Sequence, residues 1–141
     1  MSKSGVIVIV EEDIDDRNLL AKIFDELGLP NELKWFEAGE AAMEYLTTTF
    51  QSIFVIISDV NLSGQSGLEF KRNIDADPEL RRKSIPFIFY STLAKQEDVN
   101  EAYVNMTIQG FFKKGSDYES IKQAFSTIFD YWKICIHPNT Q

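Results

Sequence analysis

Residues able to do phosphate and metal chemistry collect at the ends of short apolar runs. Glu11, Glu12 and Asp13 follow the run 6–10, and Ser58, Asp59 and Asn61 follow the run 53–57. Ser91 and Thr92 follow 87–90, and Lys113 and Lys114 follow 108–112. On one rim these groups would crowd several carboxylates together, and crowded carboxylates favour protonation or a bound cation. Mg²⁺ suits such a place, because it takes hard oxygens, keeps several waters and needs only one or two carboxylates beside a phosphate. A cation held there would neutralise an incoming phosphoryl group and let a carboxylate attack it, giving an aspartyl phosphate. Lys114 would pair with the phosphate and the Ser91 hydroxyl would hydrogen-bond one of its oxygens. Both are positioning and electrostatic roles, which dominate phosphoryl transfer.

The elements that must position these groups are legible as alternating patterns. The runs 6–10, 53–57 and 87–90 are nearly continuous in β-branched or aromatic residues, as expected of strands buried on both faces. The run 33–36 alternates more and suits an edge strand. Between the runs lie segments of helical spacing. Leu19, Leu20, Ile23, Phe24 and Leu27 form one stripe, with Asp15 or Asp16 as caps and Gly28 as a stop. Ala38, Ala41, Ala42, Tyr45 and Leu46 form a second, and a weaker helix covers 68–74, ending before Asp77-Pro78. Val99, Ala102, Tyr103 and Met106 form a fourth. Ile121, Ala124, Phe125, Ile128, Phe129 and Trp132 form the last, capped by Ser116 or Asp117. Five β-α repeats predict a doubly wound α/β fold: a five-stranded parallel sheet with right-handed crossovers and five helices on its two faces. Ligands in such sheets bind beyond the carboxyl ends of the strands.

Length and charge bound the rest. The 141 residues predict a single domain, residues 1–141, with its core at about 5–132 and a short tail at 133–141. A net charge of −8 argues against nucleic acid or a membrane surface as partner. The lone Cys135 forms no internal disulfide, which suits a reducing cytoplasm. His137, alone in the tail, is expected in solvent. No glycine-rich loop follows the first run, so a flavin or nucleotide binder fits less well. One remote histidine leaves no Ser-His or Cys-His pair for a hydrolase.

The chain resembles the receiver domains of two-component response regulators, the CheY-like family, over roughly residues 5–132. The resemblance is carried by 8–13 (VIVEED), 57–64 (ISDVNLSG), 85–92 (IPFIFYST) and 110–115 (GFFKKG). It implies the flavodoxin-like strand order 2-1-3-4-5. It also implies Asp59 as phosphoacceptor, Glu11 and Glu12 as the acidic pair, and Asn61 as a metal ligand through its backbone carbonyl. Ser91, Lys114 and Phe111 match the family's hydroxyl, lysine and switch aromatic. The register from Pro86 selects Ser91 over Thr92, and counting from Gly110 selects Lys114 over Lys113. The segment 75–81 and Tyr131-Trp132 are similar to stand-alone receivers associated with bacterial phytochrome-type kinases.

The resemblance implies a single-domain response regulator of a phosphorelay, with Mg²⁺ as cofactor and no enzymatic activity beyond its own phosphorylation and dephosphorylation. A sensor histidine kinase or phosphotransfer protein would supply the phosphoryl group. The signal would leave through the face near residues 99–103, Phe111 and 118–121, toward a downstream protein that the sequence does not name. The aromatic last helix, with Phe129, Tyr131 and Trp132, offers a surface for a homodimer. Two departures from the family pattern stand out. The acidic pair is Glu-Glu, and Gly115 replaces the proline that normally follows the lysine in a cis linkage. A trans bond is expected at Gly115, since cis before a non-proline costs about 2.5–4 kcal/mol. These departures also fit a second reading, a degenerate receiver that binds partners without being phosphorylated.

Overall fold

A computed structural model of the chain describes residues 2–92 and 95–138; the last three residues of the expected tail lie outside them. Five strands, β1 (Val6–Val10), β2 (Leu33–Phe36), β3 (Ile53–Ser58), β4 (Phe87–Ser91) and β5 (Gly110–Lys113), form one parallel sheet in the order β2-β1-β3-β4-β5. The helices are α1 (Ile14–Glu26), α2 (Gly39–Thr48), α3 (Gly67–Ala76), α4 (Pro78–Lys83), α5 (Gln96–Asn105) and α6 (Tyr118–Ile134), preceded by a 3₁₀ turn at Ser2–Ser4.

Every residue of β1, β3 and β4 is buried, and strand alternation divides them between two layers, interrupted once in β3 where Phe54 and Val55 join the same layer at a register shift. Val6, Val8 and Val10 face a layer holding Ala42 and Leu46 of α2, Phe70 of α3, Leu80 of α4 and Ala102 of α5. Ile7 and Ile9 face Leu20, Ile23 and Phe24 of α1 and Ile121, Phe125 and Phe129 of α6. β2 is the half-buried edge, as its weaker pattern predicts.

Four expectations are corrected. There are six α-helices among the described residues rather than five. The added α4 is a short segment, PELRRK, whose one buried apolar residue, Leu80, gives no periodicity to read. It exists because Asp77 caps it, accepting from the Glu79 and Leu80 amides, with Pro78 pre-set at the first position. The cap of α1 is Asp13, which accepts from the Asp15 and Asp16 amides, so neither of those aspartates is the cap. Strand β5 starts at Gly110 rather than Ile108, because Gln109 clips its end. Its amide donates to the Phe87 carbonyl at 2.9 Å, and its Oε1 accepts from the Phe87 amide at 2.6 Å.

The fourth correction is the tail. His137 is 1% exposed, with Nε2 at 2.7 Å from the Phe54 carbonyl oxygen and its ring stacked on Phe54 and edged against Trp132. The chain beyond α6 folds back under the sheet, and a half-aromatic, half-polar ring fits there because its nitrogen finds a partner. Phe129 and Trp132 are likewise spent on the core, and of the three aromatics in this helix end only Tyr131 is exposed.

Candidate phosphoacceptor site

The strands deliver their following residues to one place. Val10 is paired with Ser58, and Ser91 with Lys113, so Glu11, Asp59 and Lys114 each sit one residue past a paired strand end. Two backbone bonds extend the pairing: the Asp59 amide to the Val10 carbonyl at 3.0 Å, and the Lys114 amide to the Ser91 carbonyl at 2.8 Å. This rim lies where strand order reverses between β1 and β3, the expected ligand position in such a sheet.

The loop after β3 is held tightly. Asp59 is 6% exposed, and its Oδ1 accepts from the Asn61 amide at 3.0 Å. The Gly67 amide donates to the Val60 carbonyl at 2.9 Å, and Ser66 caps α3 by accepting from the Glu69 amide. A Cβ on Gly67 would collide with the Asp59 carbonyl and the Val60 Cα, so this closure requires glycine. Asn61 reaches further: its Nδ2 donates to Ser91 Oγ at 3.1 Å, tying the fully buried Ser91 to the Asp59 loop.

At the centre stands the Lys114 ammonium. Nζ lies 2.7 Å from Glu11 Oε1, 2.7 Å from Asp16 Oδ2 and 2.8 Å from Asp59 Oδ2. Burial alone would lower the lysine's pKa. The bonds to Asp16, Asp59 and Glu11 more than reverse this and hold the ammonium above the usual lysine range. Burial pushes the Glu11 carboxyl up, a push that the Lys114 hydrogen bond only partly offsets and the Asp59 charge reinforces. The peptide between Lys114 and Gly115 is trans, and the lysine still reaches the pocket.

Glu11, Asp59, Asn61, Ser91 and Lys114 are thus one connected group. Glu12 stands apart from the lysine: it is exposed, and its Oε1 accepts from the Ser63 amide at 3.0 Å. Phe111 is half-buried on the opposite face of β5, its ring centroid 5.3 Å from that of Phe89, and its amide donates to the Tyr103 hydroxyl at 3.0 Å. Lys113 and Thr92 are exposed. Asp16 was missed as a member of the site. The signal was available: Asp13 precedes it at capping distance, which frees Asp16 to face the rim.

The donor chemistry suits a hard divalent cation. Among the described residues no group of three or more acidic, His or Cys side chains is arranged as a ready-made metal cage. Mg²⁺ asks for less, since it completes its shell with water and uses one or two carboxylates. Glu11 and Asp59, with Glu12 one loop away, meet that requirement. No described helix is long and apolar enough to cross a membrane.

Comparison with known proteins places the chain in a family and a fold. The family model for the response regulator receiver domain matches residues 7–126. The curated relative named "Probable methanogenesis regulatory protein FilR2", from Methanothrix harundinacea, is 26% identical over 131 residues, covering 90% of this chain and 83% of that protein. Among solved structures, the phosphorylated cyanobacterial phytochrome response regulator RcpA superposes with a TM-score of 0.81 at 24% identity, over 92% of this chain and 94% of that one. The Mn²⁺-bound form of response regulator Rcp1 does so with a TM-score of 0.80 at 23% identity, over 94% and 96%. The chain belongs to the response regulator receiver domain family.

Proposed function

We propose that the chain is a single receiver unit of a phosphorelay that accepts a phosphoryl group on Asp59 with the help of Mg²⁺. The observation that carries this reading is the Lys114 ammonium 2.8 Å from Asp59 Oδ2, beside the buried Glu11. In the reaction an Asp59 carboxylate oxygen forms a bond to phosphorus as the phosphorus–nitrogen bond of a phosphohistidine breaks. The imidazole nitrogen departs with the electron pair. Mg²⁺, when bound, supplies charge neutralisation for the phosphoryl oxygens; Glu11, Glu12, Asp59 and the Asn61 carbonyl are the groups that would hold it. The Mn²⁺ named for Rcp1 supports a divalent ion in such a site. Asn61 orients Asp59 through its amide, Lys114 pairs with a phosphoryl oxygen, and the Ser91 hydroxyl donates to another.

The donor is a sensor histidine kinase or a phosphotransfer protein, and the chain works in the cytoplasm. The signal leaves by the face of α5, β5 and α6 toward a downstream protein or a second copy. A pull on Ser91 and Lys114 is transmitted together, because the Lys114 amide bonds the Ser91 carbonyl, and β5 carries it to Phe111 and Tyr103. The test is a beryllofluoride titration of the Mg²⁺-loaded protein, followed by the backbone amide resonances of Asn61, Ser63 and Lys114. These resonances shift in the wild type and stay still in Asp59→Asn. A wild type that stays still favours the phosphorylation-independent binding module instead.

A further inference from the structure

The last two residues of β4 hold the backbone on both sides of Lys114. The Lys114 amide donates to the Ser91 carbonyl at 2.8 Å, and the amide of the next residue, Gly115, donates to the hydroxyl oxygen of Tyr90. Tyr90 is 6% exposed, belongs to the layer of α1 and α6, and sets its ring edge-on to Phe125 with centroids 5.0 Å apart. The same ring lies beside the Lys114 ammonium, with Nζ 5.8 Å from its centroid, close enough for a cation–π contact. Burial pushes the Tyr90 hydroxyl up, while the Lys114 ammonium and the Gly115 amide pull it the other way. Glycine has no Cβ to limit the chain after Lys114, so the direction of that chain is set by what it bonds to. At the tip, the partners of the ammonium are carboxylates of the site itself, and Asp59 loses its charge when it is phosphorylated. Tyr90 is packed into the core and stands outside that change.

We propose that Tyr90 is a positioning residue for Lys114: its hydroxyl pins the chain at Gly115, so that the lysine stays aimed at Asp59 after a phosphoryl group has arrived. The proposal rests on the phosphoacceptor reading of Asp59. Tyr90 touches no reacting atom and acts through Lys114. At rest three carboxylates hold the tip of the lysine, so the hydroxyl is needed most once Asp59 is loaded. A tyrosine that served only the packing of α6 would be replaced by phenylalanine without consequence at the rim.

Tyr90→Phe separates the two roles, because it keeps the ring and its contact with Phe125 and removes only the hydroxyl. The control is Tyr45→Phe, which loses a tyrosine hydroxyl bonded to Gln51 near the start of β3, the opposite end of that strand from Asp59. In beryllofluoride titrations at saturating Mg²⁺, loss of one neutral hydrogen bond predicts a half-saturating concentration about twofold to tenfold higher in Tyr90→Phe. Tyr45→Phe stays at the wild-type value. In the metal-free protein, Tyr90→Phe also speeds exchange of the Gly115 amide with water and shifts the Lys114 Nζ resonance, while that of the buried Lys71 stays in place. An unchanged half-saturation in Tyr90→Phe overturns the proposal, and so does unchanged exchange at Gly115. An equal rise in Tyr45→Phe also overturns it, since it marks a general loss of stability. Silence of the wild type toward beryllofluoride sinks the phosphoacceptor reading and this proposal together, whereas a responding wild type matched by Tyr90→Phe sinks only the role of Tyr90.

Discussion

The Lys114 ammonium and the Asp59 carboxylate stand 2.8 Å apart although they are separated by 55 positions in the chain and are carried by strands that are not neighbours. β4 lies between β3 and β5, so the lysine side chain spans the end of one intervening strand to reach its partner. That reach is anchored at its base by the Lys114 amide on the Ser91 carbonyl and at its tip by three carboxylates.

The lysine is accordingly a structural cation as well as a candidate ligand for phosphate. Lys114→Gln leaves Glu11 and Asp59 buried without a counter-charge and costs about 3–5 kcal/mol of stability. A divalent cation relieves the same repulsion. Mg²⁺ is thus expected to raise the melting temperature of Lys114→Gln by more than that of the wild type, measured by thermal denaturation with and without the ion. Equal increments would show that the carboxylates do not depend on the lysine.

Gly67 has no role in chemistry, yet it sets where Asp59 lies. Gly67→Ala places a methyl group against the Asp59 carbonyl and Val60 Cα, and this overpacking costs about 1–3 kcal/mol. The backbone that must move is that of the Asp59 loop. Loss of stability is therefore accompanied by a weaker beryllofluoride response, whereas an exposed glycine such as Gly28→Ala loses stability without the second effect. Denaturant unfolding and the titration, run on both variants, separate the two.

A second buried cation lies on the far layer. Lys71 is 2% exposed and donates to Asp75 Oδ1 at 2.8 Å and Thr107 Oγ1 at 2.9 Å, with Phe87 beneath it at 5.1 Å. Burial alone would raise the Asp75 carboxyl. The bonds from Lys71 and Thr107 outweigh it and hold the group below its ordinary 3.8. A carboxyl with a depressed folded pKa adds stability above its unfolded pKa and loses it as pH falls through the folded value. Asp75→Asn is therefore less stable than wild type by about 1.5–3 kcal/mol at neutral pH. The gap narrows as pH drops below the ordinary carboxyl value. Urea unfolding across the acid range measures it, and a gap that widens on acidification contradicts this account.

The parts of the fold that were legible are those where one physical signal dominates. Continuous β-branched runs mark β1, β3 and β4 because both of their faces are buried, and the strand order follows from the family likeness carried by the strand-end motifs. The gathering of Glu11, Asp59, Ser91 and Lys114 was readable because each follows a strand at the same end of a parallel sheet. His137 and α4 were not readable and Asp16 was readable only indirectly, for different reasons. An aspartate in a first helical turn looks like a cap until Asp13 takes that place. A lone histidine gives no periodicity, and its burial depends on Phe54 of β3 and Trp132 of α6 meeting it on one face of the sheet. α4 depends on a cap and a proline rather than on an apolar stripe. The orientation of Glu12 depends on the Ser63 amide, a loop contact 51 residues away that no local pattern encodes.

Intact mass spectrometry after incubation with acetyl phosphate and Mg²⁺ tests Asp59 as phosphoacceptor most directly. The account predicts a gain of one phosphoryl group in the wild type, absent from Asp59→Asn and from protein treated with EDTA. A wild type of unchanged mass, or an Asp59→Asn variant that gains the same group, would contradict it.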